Sequence, residues 1–141
     1  MTLSPRLAAL VESLPLRAGL RVLEIGCGPG AAARAVVARI GDGHLLAIDR
    51  SPRAIAQARS ACAAEIAAGR LGLRRCTSAE DFELAPGEAP FDLAYAFRVG
   101  ALDGRHPDAG RRARAAIAAA LVPGGRLHVG GGDPLRVVEL T

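Results

Sequence analysis

A chain of 141 residues, half of them hydrophobic, is long enough for one hydrophobic core and too short for a separate substrate domain. Its apolar runs are broken by Arg, Gly and Pro, which excludes a membrane span of ~20 apolar residues, and the first residues lack the basic-then-apolar order of an export signal, so a cytoplasmic protein is expected. The net charge of +4 comes from 18 scattered arginines with only 3% aromatic residues, a surface that suits solvent better than nucleic acid, whose single strands need stacking platforms.

Along the chain, short apolar runs alternate with Ala-rich amphipathic segments, the pattern of βαβ units and a parallel sheet. Leu3, Leu7, Leu10, Val11 and Leu14 recur at helical spacing and predict a leading helix over 3–14, stopped by Pro15. The run from Leu20 to Ile25, cut off by Gly26-Cys-Gly-Pro-Gly30, reads as a buried first strand running into a tight turn. A helix follows over 31–40, with Ala33, Val36, Val37 and Ile40 on one face, and Leu45 to Asp49 is the second strand. Ser51 and Pro52 hold the N-cap and first-turn positions of one helix reaching to Gly69, with Ile55, Ala58, Cys62 and Ile66 in a stripe. Leu71 to Cys76 makes the third strand and Phe91 to Phe97 the fourth. Asp108 opens the next helix, Pro123-Gly124-Gly125 closes it, and Arg126 to Val129 is the fifth strand. Strands joined by helices cross right-handedly, which gives an α/β fold: a doubly wound, mostly parallel sheet with helices on both faces, its ligand at the carboxyl ends of the strands where their order reverses.

Three glycines at alternate positions, Gly26, Gly28 and Gly30, stand between a strand and a helix. Such a turn lets a ligand approach the backbone closely and meet its N–H groups. Asp49 ends the second strand, where a carboxylate can accept hydrogen bonds from both hydroxyls of an adenosine ribose. NAD-type and adenosylmethionine-type proteins share both devices. Ala31, where the NAD-type loop has its third small residue, does not exclude that type, whereas Glu24, two residues before the first glycine, favours the other. Cys27, Cys62 and Cys76 are odd in number and widely spaced, so neither a disulfide framework nor a metal site is expected. Cys62 and Cys76 read as reduced core thiols, and His44 and His128 as structural residues.

Taken in order, Glu24-x-Gly26-x-Gly28-x-Gly30, Asp49-Arg-Ser-Pro52, Ser78-Ala-Glu-Asp81, Phe91-Asp-Leu93 and Leu121-Val-Pro-Gly-Gly-Arg-Leu127 resemble the motifs of class I S-adenosylmethionine-dependent methyltransferases, over about residues 18–130. The resemblance implies a Rossmann-like fold, S-adenosylmethionine as cofactor, and methyl transfer. Position by position, it implies that Gly26, Cys27 and Gly28 wrap the methionine part of the cofactor, while Glu24 orients the loop or meets the ammonium group through water. It implies further that Asp49 holds the ribose, that the backbone of Ala79 or Glu80 meets the adenine edge, and that Phe97 lies near the sulfonium and the acceptor. Three departures stand out. Ser78 occupies a position where many relatives have Asp, which weakens or removes a side-chain bond to the adenine amino group. Arg50 replaces the usual apolar neighbour of the adenine, so its guanidinium must stack there or swing out to solvent. The sequence is also short at its C-terminal side: only residues 130–141 follow the fifth strand, where the family has a helix and an antiparallel strand pair, so the fold should lack part of that pair. Leu135 to Leu140 can add one short strand. A bare fifth strand is a template for another chain, so either a homodimer through that edge or a shielding tail is expected.

A methyl on a sulfonium is already activated, so the protein's task is to position the acceptor and exclude water. The acceptor region falls on residues 98–106 and the leading helix. His106, assisted by Asp103, is the candidate catalytic base for an oxygen or nitrogen acceptor, and its plainer reading is a solvated loop residue. Arg98 and Arg105 can bind an acidic acceptor or simply face solvent. Phe97-Arg98 stands where base-amine methyltransferases carry Asn-Pro-Pro-Tyr or Asp-Pro-Pro-Tyr, so a small-molecule acceptor is preferred. Two further classes stay open: a cofactor-binding protein or partner subunit without turnover, and an NAD(P)-dependent oxidoreductase.

Overall fold

The computed structural model describes residues 3–97, 107–130, 136–138 and 140. The Ser4 hydroxyl accepts from the Leu7 amide at 3.2 Å and starts helix α1, Pro5–Ser13. The chain continues through β1 (Arg21–Ile25), α2 (Ala31–Val37), β2 (His44–Asp49), α3 (Pro52–Ala61), α4 (Ala63–Ala67) and β3 (Leu71–Arg75). A single 3-10 turn at Ala79–Asp81 precedes β4 (Phe91–Ala96), α5 (Pro107–Ala120), β5 (Leu121–Val129) and β6 (Arg136–Val138).

These strands form one sheet in the order β3-β2-β1-β4-β5-β6, parallel except for β6. This is the expected Rossmann-like, doubly wound arrangement. Four of the five residues of β1 are buried, as are four of the six in β2 and five of the six in β4, because a parallel sheet with helices on both faces has no solvent side. On one face, α1, α2 and α3 cover Val22, Leu45, Ala47, Leu93 and Tyr95. On the other, α5 and Phe82 cover Leu23, Ile25, Leu46, Ile48 and Leu127. The strand order reverses between β1 and β4, which opens the crevice at their carboxyl ends.

Two elements differ from expectation. The helix expected from Ser51 to Gly69 is two helices, because the backbone departs from helical geometry at Cys62 (φ −104°, ψ 21°), where the buried thiol is directed at the Gly30 carbonyl oxygen, 3.7 Å away. The helix expected to close at Pro123-Gly124-Gly125 ends instead at Ala120, and β5 starts at Leu121, already paired with Phe91. Pro123 and the two glycines sit in an irregularity of that pairing, between the partners of Phe91 and Leu93, where a residue without an N–H is tolerated. The short strand expected within residues 135–140 is β6, which runs antiparallel along β5, with Val129 beside Arg136 and Leu127 beside Val138. Of the two alternatives for the fifth-strand edge, the structure shows the shielding tail. Among the described residues, no helix is long and apolar enough to cross a membrane.

Candidate active site

The site grows out of the end of β1. Past Ile25 the chain stays attached to β2, with the Gly26 and Cys27 amides both donating to the Ile48 carbonyl (2.9 and 3.1 Å), then turns so that the Gly30 amide reaches the Cys27 carbonyl. Gly30 adopts φ +95° as the N-cap of α2, and a β-carbon there would lie 2.9 Å from the Cys62 sulfur. Only glycine fits that packing. Gly28, at φ +52°, differs: a β-carbon would meet nothing within 4 Å, so its outer side opens on free space.

Asp49, half-buried at the end of β2, ties this loop to the next helix. Its Oδ2 accepts from the Gly28 amide at 3.0 Å and its Oδ1 from the Ser51 amide at 2.9 Å. Ser51 in turn caps α3 by accepting from the Ala54 amide. Each carboxylate oxygen keeps an unused lone pair. Arg50 is exposed, its carbonyl accepting from Arg75 Nε at 3.2 Å, so of its two expected positions it takes the solvent one.

Below the loop lies Glu24, only 3% exposed. Burial pushes its carboxyl up to about 8; the Tyr95 hydroxyl partly offsets this and the Asp49 carboxylate adds to it. Tyr95 stands beside Glu24 across the parallel β1–β4 pair and is completely buried. Neither Glu24 Oε1 nor the Tyr95 hydroxyl has a partner with hydrogen-bonding geometry. Cys27 is buried as well, and its thiol is pushed up to about 12 by desolvation and by the neighbouring Glu24 and Asp49, so it stays protonated and unreactive.

The far wall is the turn after β3. Ser78 donates its hydroxyl hydrogen to Asp81 at 3.0 Å, while Ala79 is buried. The Glu80 carboxylate is committed to Arg112 of α5 at 2.6 Å, and the Ser78 and Ala79 carbonyls accept from the Asp81 and Phe82 amides within the turn. Phe97, just past β4, is buried with its ring centroid 4.7 Å from that of Tyr95. The structure therefore brings Glu24, Gly26, Cys27, Gly28 and Asp49 together at the ends of β1 and β2. Residues 78–80 lie at the end of β3, and Phe97 follows β4. His106, Asp103, Arg98 and Arg105 lie outside the described residues. Sequence reasoning missed Tyr95; its alternation with Leu93 and Phe97 announces the shared face, but not the neighbour on β1.

A separate recess of about 300 Å³ lies at the opposite end of the sheet, between the amino ends of β4 and β5, lined by residues that include Arg17, Asp92, Arg126 and His128. It touches none of these site residues. His44, expected to be structural, has Nδ1 3.1 Å from the Gly69 carbonyl oxygen.

The profile of the family described as "Methyltransferase domain" matches residues 22–125. Over 52 residues the chain is 42% identical to the trans-aconitate 2-methyltransferase of Methylobacterium nodulans, a match covering 37% of this chain and 20% of that protein. Among solved structures it is similar to an S-adenosylmethionine-dependent methyltransferase from Mesorhizobium loti, at 27% identity and a TM-score of 0.64 over 86% of this chain and 50% of that one. It is also similar to one from Thiobacillus denitrificans solved with S-adenosyl-L-homocysteine, at 25% identity and a TM-score of 0.68 over 89% of this chain and 48% of that one. The chain thus spans a fifth of the curated relative and about half of each of these solved structures.

Proposed function

The chain belongs to the methyltransferase domain family, class I and S-adenosylmethionine-dependent, and from that premise we propose that it binds S-adenosylmethionine at the ends of β1, β2 and β3 and transfers its methyl group to a small-molecule acceptor. One observation carries the reading: a carboxylate, Asp49, ends β2 and is tied by hydrogen bonds to a glycine turn whose outer side is open. That arrangement offers a diol acceptor and a close-approach backbone side by side, and the residues fit the ligand: Asp49 keeps free lone pairs, and Glu24 Oε1 is buried without a partner.

In this reading Gly26, Cys27 and Gly28 hold the methionine part and Asp49 holds the ribose. The Ala79 and Glu80 backbone meets the adenine edge, with Ser78 and Arg50 at its margin, and Phe97 closes the crevice toward the acceptor. When bound, S-adenosylmethionine supplies a methyl already activated for in-line displacement. The chain's part is to orient, to exclude water with Phe97 and Tyr95, and, for an acceptor that must lose a proton, to supply a base, the role proposed for His106. Small carboxylic acids head the acceptor panel, trans-aconitate first among them, because the curated relative carries that name.

Calorimetric titration with S-adenosylmethionine and S-adenosylhomocysteine should show saturable binding of both and none of NADPH. Transfer of labelled methyl into the acid panel and a metabolite extract should then yield a product. Selective dinucleotide binding overturns the cofactor assignment, while binding without any product leaves a cofactor-binding protein without turnover.

A further inference from the structure

We propose that the recess at the amino ends of β4 and β5 is a second ligand site, one that takes a small aliphatic carboxylate between Arg17, Arg126 and His128. It is independent of the cofactor assignment, since the recess touches none of the residues at the carboxyl ends of β1, β2 and β3.

Strand register builds one side of it. Arg126 stands beside Leu93 and His128 beside Tyr95 across the parallel β4–β5 pair, so both project from the face that carries Leu93 and Tyr95. The connection between α1 and β1 adds Arg17 and Leu20, and the irregular start of β5 adds Pro123 and Gly124. At Gly124, with φ +83°, a β-carbon would meet nothing within 4 Å, so this margin is bare backbone facing open space. A recess of about 300 Å³ is the size of a metabolite site.

His128 is the observation that calls for a ligand. It is only 8% exposed, it lines the recess, and among the described residues its ring has no hydrogen-bond partner. Folded proteins leave few buried polar groups unmet, because each has given up water without compensation. Burial, with the Arg126 charge adding to it, holds this imidazole below the usual histidine range, so at neutral pH the ring is uncharged and has one N–H to donate.

The surrounding charges select what accepts from it. Arg34, Arg39, Arg74, Arg111 and Arg112 each have a carboxylate partner, whereas Arg17 and Arg126 are exposed and have none among the described residues. Asp92, the acid of the recess, is directed elsewhere: its Oδ2 accepts from the Arg21 amide at 2.9 Å. Two guanidinium charges against one carboxylate leave an excess of one positive charge, which a single carboxylate neutralises, and its two oxygens match the guanidinium fork. Leu20, Leu93 and Pro123 make the rest of the lining apolar, which suits an aliphatic body rather than a bare inorganic anion.

The test is proton NMR of the whole chain at neutral pH, following the imidazole signals of the three histidines during titration with butyrate, acetate, butyramide and inorganic phosphate. His128→Gln assigns the signal by its loss; if that variant does not fold, His44→Gln and His106→Gln assign it by elimination. Butyrate should move the His128 signal to saturation in the millimolar range, acetate and phosphate should act more weakly, and butyramide should have no effect. Arg17→Gln and Arg126→Gln, both at exposed positions, should each weaken butyrate binding about tenfold. Excess S-adenosylhomocysteine should leave the butyrate titration unchanged. A His128 signal that does not move or does not saturate overturns the proposal. So does an equal response to butyramide or phosphate, wild-type affinity in both arginine variants, movement of the His106 signal alone, or competition with S-adenosylhomocysteine.

Discussion

Asp49 carries two tasks on one side chain. It braces the Gly28 amide and the start of α3, and in the proposed site it also receives the ribose. Asp49→Ala should therefore weaken S-adenosylmethionine binding by about 1–3 kcal/mol, and Asp49→Asn should fall in between because it keeps one acceptor oxygen. Titration of both variants is the measurement, and unchanged curves would remove Asp49 from the site. This residue was legible in the sequence because the device is local: a glycine turn, a strand and its terminal acid follow one another. The pairing of Glu24 with Tyr95 was not, since it depends on how β1 and β4 align, and those segments are far apart in the chain. Ser78 shows a third case. Its position was readable, but the partner of its hydroxyl, Asp81, depends on the 3-10 turn that the following residues adopt.

At the scale of elements, the glycine turn and the α3–α4 junction are one packed unit. Gly30 touches Cys62 and Ala58 so closely that a methyl group cannot enter, and its backbone is left-handed. Gly30→Ala should destabilise the fold by about 1–2 kcal/mol from backbone strain alone, with steric displacement of α3 adding to it. Urea unfolding should show a lower midpoint with an unchanged slope; equal midpoints would mean that α3 shifts without penalty. The same contact explains why periodicity located this helix yet missed its break. Ile55, Ala58, Cys62 and Ile66 keep helical spacing across the junction, and the ladder itself persists, with Cys62 N bonded to Ala58 O and Ile66 N to Cys62 O. Only the seating of one thiol against another segment bends the backbone there. In β5 the turn residues Pro123-Gly124-Gly125 signalled a boundary, correctly for chain irregularity and wrongly for its place, because cross-strand pairing of Leu121 with Phe91 outweighs local propensity.

For the molecule as a whole, the sheet has one strand that the parallel pattern does not call for. β6 covers the outer edge of β5 with a short antiparallel pairing. A chain ending at Gly130 should expose the backbone of Leu127–Val129 and self-associate as concentration rises, and light scattering after size separation measures this. A truncated chain that stays monomeric would show that the edge needs no cover.

The order of the sheet also has a history. β1 lies in its interior, and of its two neighbours β2 follows it almost at once while β4 is made much later. During synthesis at roughly 5–20 residues per second, one flank of β1 therefore waits several seconds on the ribosome for its second companion. The Arg21 amide likewise waits for the Asp92 carboxylate that holds it at 2.9 Å in the finished protein. The nascent half-sheet is thus the interval in which a chaperone has something to shield, and the arrival of Phe91 ends it.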